Sequence, residues 1–465
     1  IFEVYSNLPF TCHRSFCFNI PFNQPSNQYT FNYKDFTADD IAKLFLKNVG
    51  NLFSGAWLAQ IINFIALVIL QRYFYSPEQY APFRLFFEFS LVFSSVSSLR
   101  LESGLILERE DKPALTLLRI CIKYCIYTSI IGGLLFTIYY YNEIEVFKHE
   151  WILLLLMPLG ILANGMIQIS QSFFTRSKQF STISLSKITH SLTGGLTQVL
   201  NGIIGFNFTG LITGRMIGLF SSNLIYFKQF FKSFKWLKKH DLEEKRLLKK
   251  HKKFISFTSP GFFIGSSINL VILVVLTRFY GEEFSGLTAA GIQYLGLICM
   301  IFSTSFAQVY YNEIAQIDNP EKLISSYNYW VKRLTLVAIL GWTILYFIPP
   351  SLVEYILGEK WSGLLYIIKI ISPWMGIMFV TSSLSYIFIR LGRQKEIFFF
   401  DLFHLLIILI ALYLGHNLFG NNIKILYVIS FTQCVFYILS LTLAYVFLKN
   451  NIRKSLKKDY INKNE

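Results

Sequence analysis

The sequence predicts an all-α polytopic membrane protein, with about 12 transmembrane helices in two parallel six-helix repeats. Three observations predict this fold class: an apolar composition, long apolar runs and an internal repeat. Of the 465 residues, 53% are hydrophobic and 15% are charged, whereas soluble domains carry about 25% charged residues. The charged residues are missing from runs of about 20 residues, the helix length that crosses the roughly 30 Å hydrocarbon core of a bilayer.

The apolar runs are predicted to be helices. The bilayer core offers no water to backbone N–H and C=O groups, and the runs lack the alternation of a half-buried strand. The predicted spans cover residues 52–72, 80–99, 114–138, 151–173, 183–205, 209–227, 255–277, 287–309, 332–349, 364–389, 397–418 and 425–448.

Basic residues lie mostly on one side of these spans. With the N-terminus inside, the predicted inner segments hold 32 Lys and Arg, and the outer turns hold five. This asymmetry follows the positive-inside rule and places both termini in the cytoplasm. Membrane topology therefore explains the formal net charge of +16, and no nucleic-acid partner is expected.

Two segments half a chain apart are similar. Residues 67–74 (LVILQRYF) and 273–280 (LVVLTRFY) share four identities in eight positions, and each ends a long apolar run. A short acidic and aromatic turn follows each of them, at 77–80 and 281–284. Because each half has an even number of spans, both halves enter the membrane from the same side and the repeats are predicted to be parallel.

These features divide the chain into five predicted parts. They are an N-terminal arm at 1–36, an N-terminal six-helix bundle at 37–227, a basic cytoplasmic linker at 228–253, a C-terminal six-helix bundle at 254–448 and a basic cytoplasmic tail at 449–465. The arm contains three prolines and begins without methionine, which predicts a disordered segment or a misassigned start. The linker holds eleven basic and three acidic residues, a pattern that suits either an amphipathic helix on anionic membrane lipid or a solvated connection.

Ionisable side chains within the spans mark candidate sites, because each costs at least about 2.5–3.5 kcal/mol on insertion scales unless it has a partner or a wet cavity. Arg84 and Glu88 lie four residues apart in span two and so share a helix face. They form either a cationic site with its own counter-charge or a structural ion pair. Lys369 in span ten either lines a cavity or reaches the interface, and for Arg215 in span six snorkelling or packing is favoured.

Further polar residues complete the candidate set. Asp401 and His404 lie three residues apart in span eleven, and they form either a proton relay or a helix cap followed by an interhelical hydrogen bond. Asn63 and Asn269 occupy the middle of spans one and seven, which are equivalent in the two halves. A wet cleft would explain these asparagines and Gln293 in span eight, and so would ordinary hydrogen bonding between helices.

No catalytic pattern accompanies these residues. The sequence lacks the nucleophile-elbow, zinc-protease and phosphate-loop motifs. Of the six cysteines, Cys12 and Cys17 lie near His13, but three candidate ligands without a second pair match zinc spacing poorly. We therefore predict no enzyme, no metal site and no cofactor.

Three segments resemble motifs of a known family. Residues 72–80 (RYFYSPEQY), 100–111 (RLESGLILERED) and 358–361 (GEKW) are similar to motifs of the polysaccharide-biosynthesis flippases. These are the O-antigen and capsule translocases of the MATE-like multidrug/oligosaccharidyl-lipid/polysaccharide (MOP) superfamily. The resemblance extends over about 40–448, although Ala81 stands where the family has glycine.

The resemblance implies a fold and a cargo. The fold would be two six-helix bundles in a V, around a central cavity lined largely by spans one, two, seven and eight. The cargo would be an undecaprenyl-diphosphate-linked oligosaccharide, flipped across the bacterial inner membrane by alternating access. This step would supply the synthesis of O-antigen, capsule or exopolysaccharide at the cell surface.

The family motifs mark scaffold positions and assign no binding residue, so the expected roles follow from the chemistry of this cargo and the charges in the spans. Arg84 and Lys369, on different lobes, would hold the diphosphate and the sugars. The remaining cavity candidates are Glu88, Asn63, Asn269 and Arg215. The candidates for ion coupling are Glu88, Asp401 and His404. A polysaccharide polymerase and glycosyltransferases are the expected protein partners.

Two other functions stay open at this point. A MATE-type exporter of drugs or cations would need a carboxylate-rich cavity, whereas basic groups match or outnumber acidic ones within these spans. A membrane-embedded polysaccharide polymerase or acyltransferase would need a sizeable outer loop or a His/Asp site.

Overall fold

The computed structural model describes residues 57–108, 110–177, 179–233, 241–315, 317 and 319–464. The predicted N-terminal arm at 1–36 lies outside these residues. In the described part of the chain all regular structure is helical, and eight helices there are long and apolar enough to cross a membrane. These findings confirm the prediction of an all-α polytopic membrane protein.

Twelve long helices follow the predicted spans within the described residues. We name them α1 (Trp57–Tyr73), α2 (Pro77–Ser94), α3 (Asp111–Asn142), α4 (Ile152–Arg176), α5 (Phe180–Ile204), α6 (Phe208–Ser233), α7 (Ser259–Tyr280), α8 (Glu282–Ala315), α9 (Pro320–Phe347), α10 (Leu364–Leu384), α11 (Gln394–Phe419) and α12 (Asn422–Asn464). We call α1–α6 the first half of the molecule and α7–α12 the second half.

Local sequence sets where these helices begin. At the start of α2, the Gln79 side chain accepts a hydrogen bond from the Ser76 backbone N–H at 3.2 Å, as in a capping box. At the start of α9, the Asn319 side chain accepts hydrogen bonds from the N–H groups two and three residues further on. Because of this cap, α9 begins at Pro320, well before the predicted span at 332, and includes polar residues that hydropathy had assigned to a loop.

The helix α2 lies at the junction between the two halves. Most of its 18 residues are buried. It packs against α3, α4 and α6 of the first half and against α7 and α8 of the second half. A charged residue on α2 is therefore held between the halves. The described residues belong to one compact unit, and their division into two bundles stays a prediction.

The described part of the basic linker forms a short helix at Asp241–Lys250, which we call the linker helix. Its Leu247 is buried in an apolar cluster with Leu101, and its Glu244 forms an ion pair with Arg119 of α3. The apolar Leu247 of the linker helix thus packs on the first half, and contact of its basic side with anionic lipid stays a prediction. The basic residues that remain exposed on it are Lys245, Arg246, Lys249 and Lys250.

Candidate functional site

A cluster of buried polar side chains lies where α2 meets α8. Tyr80, Arg84 and Glu88 follow one another at intervals of four residues, so α2 places them on one face. Arg84 Nη2 forms an ion pair with Glu88 Oε1, and Arg84 Nη1 donates to Gln293 Oε1 of α8 at 3.1 Å. The Tyr80 hydroxyl donates to the same Gln293 oxygen. We call these four residues, together with Arg215, the junction cluster.

Arg215 joins the cluster from α6. Its guanidinium carbon lies 4.4 Å from the centre of the Phe87 ring, and that of Arg84 lies 6.0 Å from the same centre. The two cations thus share one aromatic neighbour, whose π face attracts positive charge. With Glu88 as the carboxylate, the two arginines leave the junction cluster with a net positive charge.

Burial of this charge costs free energy unless the charge is paired. Arg84 is 8% exposed and Glu88 is 6% exposed, and a buried charge persists in proteins when it is paired and hydrogen-bonded. The Nε atoms of Arg84 and Arg215 are nevertheless buried without a hydrogen-bond partner in the part of the chain that the structure describes. The junction cluster therefore holds cationic donors that an anionic ligand could use.

The two halves also meet beside the cluster, around Trp361. The indole N–H of this residue donates to the backbone oxygens of Gln71 at 3.0 Å and Tyr75 at 3.2 Å. Its ring packs edge-on against Tyr80, with 5.7 Å between centres. Trp361 is fully buried, so these contacts between the halves lie inside the molecule, next to Tyr80 of the cluster. We use the name Trp361 end for residues 71–80, 278–286 and 354–361.

A second Tyr–Gln pair crosses between the halves. Tyr294 of α8 donates its hydroxyl to Gln71 Oε1 of α1 at 2.6 Å, whereas Tyr80 of α2 donates to Gln293 of α8. Gln293 and Tyr294 are adjacent, so α8 accepts in one pair and donates in the other. The two pairs differ in one respect, since the Gln293 oxygen also accepts a hydrogen bond from Arg84.

Lys369 lies apart from the junction cluster. Its Nζ is 3.4 Å from the backbone oxygen of Ile348 and 5.2 Å from the centre of the Tyr346 ring, both at the C-terminal end of α9. The helix α10 packs against both α8 and α9, and Lys369 is on its α9 side. Lys369 and Arg84 thus have separate contacts in this structure, and their shared role in holding one cargo from opposite lobes stays a prediction.

Asn63 and Asn269 are half-buried on α1 and α7. Phe64, next to Asn63, packs on the Tyr294 ring with 5.9 Å between centres, which places this part of α1 against α8. Ile268, next to Asn269, belongs to the central apolar cluster. Both asparagines therefore lie beside apolar contacts between helices, and their role in a cargo path stays a prediction.

Asp401 and His404 line a separate cavity within the second half. It has a volume of about 700 Å³ and lies between α7, α10, α11 and α12. His404 Nε2 is 2.7 Å from Gln433 Oε1, and the imidazole stacks on the Phe436 ring with 4.2 Å between centres. The interhelical hydrogen bond considered above for His404 is therefore present, and it ties α11 to α12.

Tyr80 and Trp361 belong to this site although no sequence pattern assigned them a role there. The spacing of Tyr80, Arg84 and Glu88 was a usable signal, because every fourth residue of a helix returns to nearly the same face. Gln293 stood out only as one of several polar residues. Its contact with Arg84 depends on how α8 is rotated against α2, which a single sequence does not give.

The fold and the site together define a class of protein. Among the described residues, no three His, Cys, Asp or Glu side chains are placed to hold a metal ion. A polytopic helical protein with a charged cluster buried between the two halves of its chain has the construction of a membrane transporter. Residues 108–366 match the family model described as polysaccharide biosynthesis protein. The match covers more than half of the chain, and this protein belongs to that family. No curated protein matches the sequence.

Solved transporter structures share the fold. An inward-facing multidrug resistance MATE family transporter of the MOP superfamily is similar with a TM-score of 0.62 and 16% identity, over 85% of this chain and 96% of that chain. An outward-facing MATE family transporter gives 0.57 and 14%, over 87% and 96%. A MOP superfamily transporter from Pyrococcus furiosus, whose reversed pocket polarity suggests a different function for it, gives 0.54 and 12%, over 87% and 96%. The chain has the fold of MOP-type transporters, which confirms the resemblance.

Proposed function

We propose that this protein flips an undecaprenyl-diphosphate-linked oligosaccharide across the bacterial inner membrane by alternating access. The product would supply synthesis of a surface polysaccharide such as O-antigen, capsule or exopolysaccharide. The observation that carries the proposal is the junction cluster, a buried site of net positive charge between the halves. Membership of a family described as polysaccharide biosynthesis proteins supports the same cargo. The protein would act as a carrier, without catalysis.

The chemistry of the cargo explains why such a site is needed. Each sugar hydroxyl costs several kcal/mol when it enters hydrocarbon without a hydrogen-bond partner, and a charged diphosphate costs more. Arginine presents a planar fork of donors that matches phosphate oxygens. Arg84 and Arg215 would receive the diphosphate, while the polyprenyl tail stays in lipid. Glu88 would keep Arg84 oriented and compensate its charge when the site is empty.

Transport against a gradient needs an energy source. One unit charge that crosses a potential of 100 mV exchanges about 2.3 kcal/mol, so coupling to an ion or proton would be sufficient to bias the cycle. Glu88 is the candidate carrier within the junction cluster. Asp401 and His404 are the candidates in the second-half cavity.

The topology and partners follow from the same proposal. Both termini would lie in the cytoplasm, and the linker helix would lie there too. Its exposed basic residues would then face the anionic lipid of the inner leaflet. Glycosyltransferases would supply the cargo on this side, and a polysaccharide polymerase would receive it on the other.

The test is complementation of a strain that lacks this gene. The deletion should strand completed lipid-linked repeat units on the cytoplasmic face, and wild-type protein should restore surface polysaccharide. Arg84→Ala should fail to restore it at equal protein level. Arg333→Ala, which removes an exposed arginine of α9 that lies over Tyr329, is the matched control and should complement.

Two outcomes would contradict the proposal. Normal surface polysaccharide with Arg84→Ala would remove Arg84 from the cargo path. Repeat units exposed outside the membrane but left unpolymerised in the deletion strain would indicate a polymerase instead.

Export of organic cations is a second candidate function, and one observation favours it. The second-half cavity is lined largely by aromatic and apolar side chains, together with the carboxylate of Asp401. A lipophilic cation suits such a lining. Ethidium efflux that is lost with Asp401→Asn and kept with Arg84→Ala would select this function over flipping.

A further inference from the structure

Two donors of the first half converge on one neutral oxygen of the second half. Gln293 Oε1 accepts hydrogen bonds from Arg84 Nη1, at 3.1 Å, and from the Tyr80 hydroxyl. Tyr80 is 1% exposed and Arg84 is 8% exposed, so both donors are buried. A cation and a hydroxyl that share one acceptor in a buried place have the geometry of an anion site in which an amide supplies the oxygen.

A phosphate oxygen would satisfy these donors better than the amide does. Hydrogen bonds from a guanidinium to an anionic oxygen are roughly twice as strong as bonds between neutral groups. Arg84 Nε has no hydrogen-bond partner in the described part of the chain, and Arg215 adds a second cation 4.4 Å from the centre of the Phe87 ring that Arg84 also approaches. An anion in the place of the Gln293 oxygen would gain a hydrogen bond from Arg84 Nε and electrostatic attraction to Arg215.

We propose that Gln293 is an internal surrogate for the cargo head group. Its amide oxygen holds the phosphate position in the empty protein, and a diphosphate displaces it on binding. This inference rests on the proposed function, because it concerns the same cargo at the same site. It adds a specific role for a residue of α8 that carries no charge.

Displacement has a mechanical consequence. Gln293 belongs to α8 and its two donors belong to α2, so the contact that cargo breaks is one that joins the halves. An empty protein whose halves part at this point leaves Arg84 and Tyr80 without their acceptor. In a protein with bound cargo both donors keep an acceptor when the halves part, because the phosphate stays with them. Cargo binding and release of the halves are therefore a single event at this contact.

Gln71 provides a matched control within the chain. It is 2% exposed and accepts the Tyr294 hydroxyl across the same junction at 2.6 Å. Among the described contacts, its side-chain oxygen receives no arginine. Loss of this amide therefore weakens contact between the halves without freeing a cation.

The test measures binding of farnesyl diphosphate, a short soluble prenyl diphosphate, to purified protein in lipid nanodiscs by isothermal titration calorimetry. Gln293→Leu keeps the side-chain size and removes the competing oxygen, so its Kd should fall about five-fold, equivalent to one hydrogen bond. Gln293→Glu places a permanent anion at the site and should raise the Kd at least about ten-fold. Gln71→Leu should bind within about two-fold of wild type.

The outcomes separate this inference from the proposed function. A Kd for Gln293→Leu equal to or above that of wild type overturns the inference, because Gln293 is then a bystander or a direct cargo ligand. Wild type that fails to bind the probe, or binds it no more tightly than Arg84→Ala does, overturns the proposed function as well. If the leucine variant does not fold, as judged by circular dichroism and gel filtration, Gln293→Ala carries the same expectation.

Discussion

Arg72 and Arg278 occupy equivalent places in the internal repeat, and each makes contact with the opposite half of the molecule. Arg72 Nη1 of the first half donates to the backbone oxygen of Glu354 at 3.1 Å, and Arg278 Nη1 of the second half is 2.8 Å from Glu143 Oε1. The repeat therefore places two arginines in crossed contacts. Together with Trp361 they form a clamp at the Trp361 end, which must release before the halves can part there.

Gly286 lies at the same Trp361 end, where α8 closely approaches the start of α2. A Cβ atom at this position would lie 1.9 Å from the carbonyl oxygen of Pro77, so Gly286→Ala must push α8 away from the start of α2. We expect destabilisation of about 1–3 kcal/mol, as for overpacked cores, measured as a lower melting temperature in detergent. Surface polysaccharide should fall in the complementation assay.

Gly296 is the control for this prediction, since it lies on the same helix and an added Cβ would meet no atom within 4 Å. Gly296→Ala should be neutral or stabilising by up to about 1 kcal/mol, because alanine favours the helical backbone. Equal melting temperatures for the two alanine variants would show that the close approach of α8 to Pro77 does not matter for stability.

Trp361→Phe tests the clamp itself. The substitution keeps an aromatic ring and removes the N–H that reaches the carbonyls of Gln71 and Tyr75. We expect a loss of about 1–3 kcal/mol, because a buried hydrogen-bonding group is left without its partner. Trp342→Phe, at a tryptophan of α9 that is 44% exposed, should stay within about 0.5 kcal/mol of wild type. Thermal unfolding that does not distinguish the two variants would count against the clamp.

Glu108 anchors the linker helix to the first half. Its carboxylate accepts a hydrogen bond from Lys250 Nζ at 2.9 Å and lies 2.7 Å from His251 Nε2. Burial alone would raise the pKa of Glu108, but the hydrogen bonds from Lys250 and His251 prevail, and the pKa is lowered from its ordinary value of 4.5. Because the folded-state pKa is depressed, this stabilisation is present above the unfolded-state pKa and is lost as the pH falls through the folded-state pKa.

Glu108→Gln should therefore loosen the linker helix at neutral pH and remove its response to acid. Hydrogen exchange of residues 241–250, followed by mass spectrometry and corrected for intrinsic rates, should show weaker protection by about 1–3 kcal/mol at pH 7. In wild type the same protection should be lost only as the pH falls below 4.5, the ordinary pKa of this carboxyl group, because the folded-state pKa is lowered. Glu110→Gln, at an exposed neighbouring carboxylate, should behave as wild type. Unchanged protection in Glu108→Gln would show that Leu247 and the Glu244–Arg119 ion pair hold the helix without Glu108.

The sequence predicts which residues share a face of one helix, but it does not predict which neighbouring helix that face contacts. Arg84 and Glu88 share a face because of their spacing, whatever packs against them. Hydropathy does not show which neighbour of α10 Lys369 faces. In the structure α9 packs beside it, and Lys369 contacts Tyr346 and Ile348. Gln293 meets Arg84 because α8 packs directly on α2.

Variants of Arg84 and Glu88 test whether the two residues form a binding site or only a structural ion pair. Glu88→Gln leaves a buried guanidinium without its carboxylate, and Arg84→Met leaves the carboxylate alone. Each should destabilise the protein by about 3–5 kcal/mol, as breaking a buried pair does. The double variant Arg84→Met/Glu88→Gln combines the two substitutions and removes both charges, so it should recover most of this stability. Melting temperatures of the four proteins give the coupling energy between the two side chains.

Transport in the same four proteins then decides the role of the pair. If the pair only joins α2 to its neighbours, the double variant should restore surface polysaccharide along with stability. We expect stability without transport, because the second-half partner Gln293 and the aromatic contact of Arg215 keep the junction in place while the cation that receives the diphosphate is gone. A double variant that is both stable and active would assign the pair to folding alone.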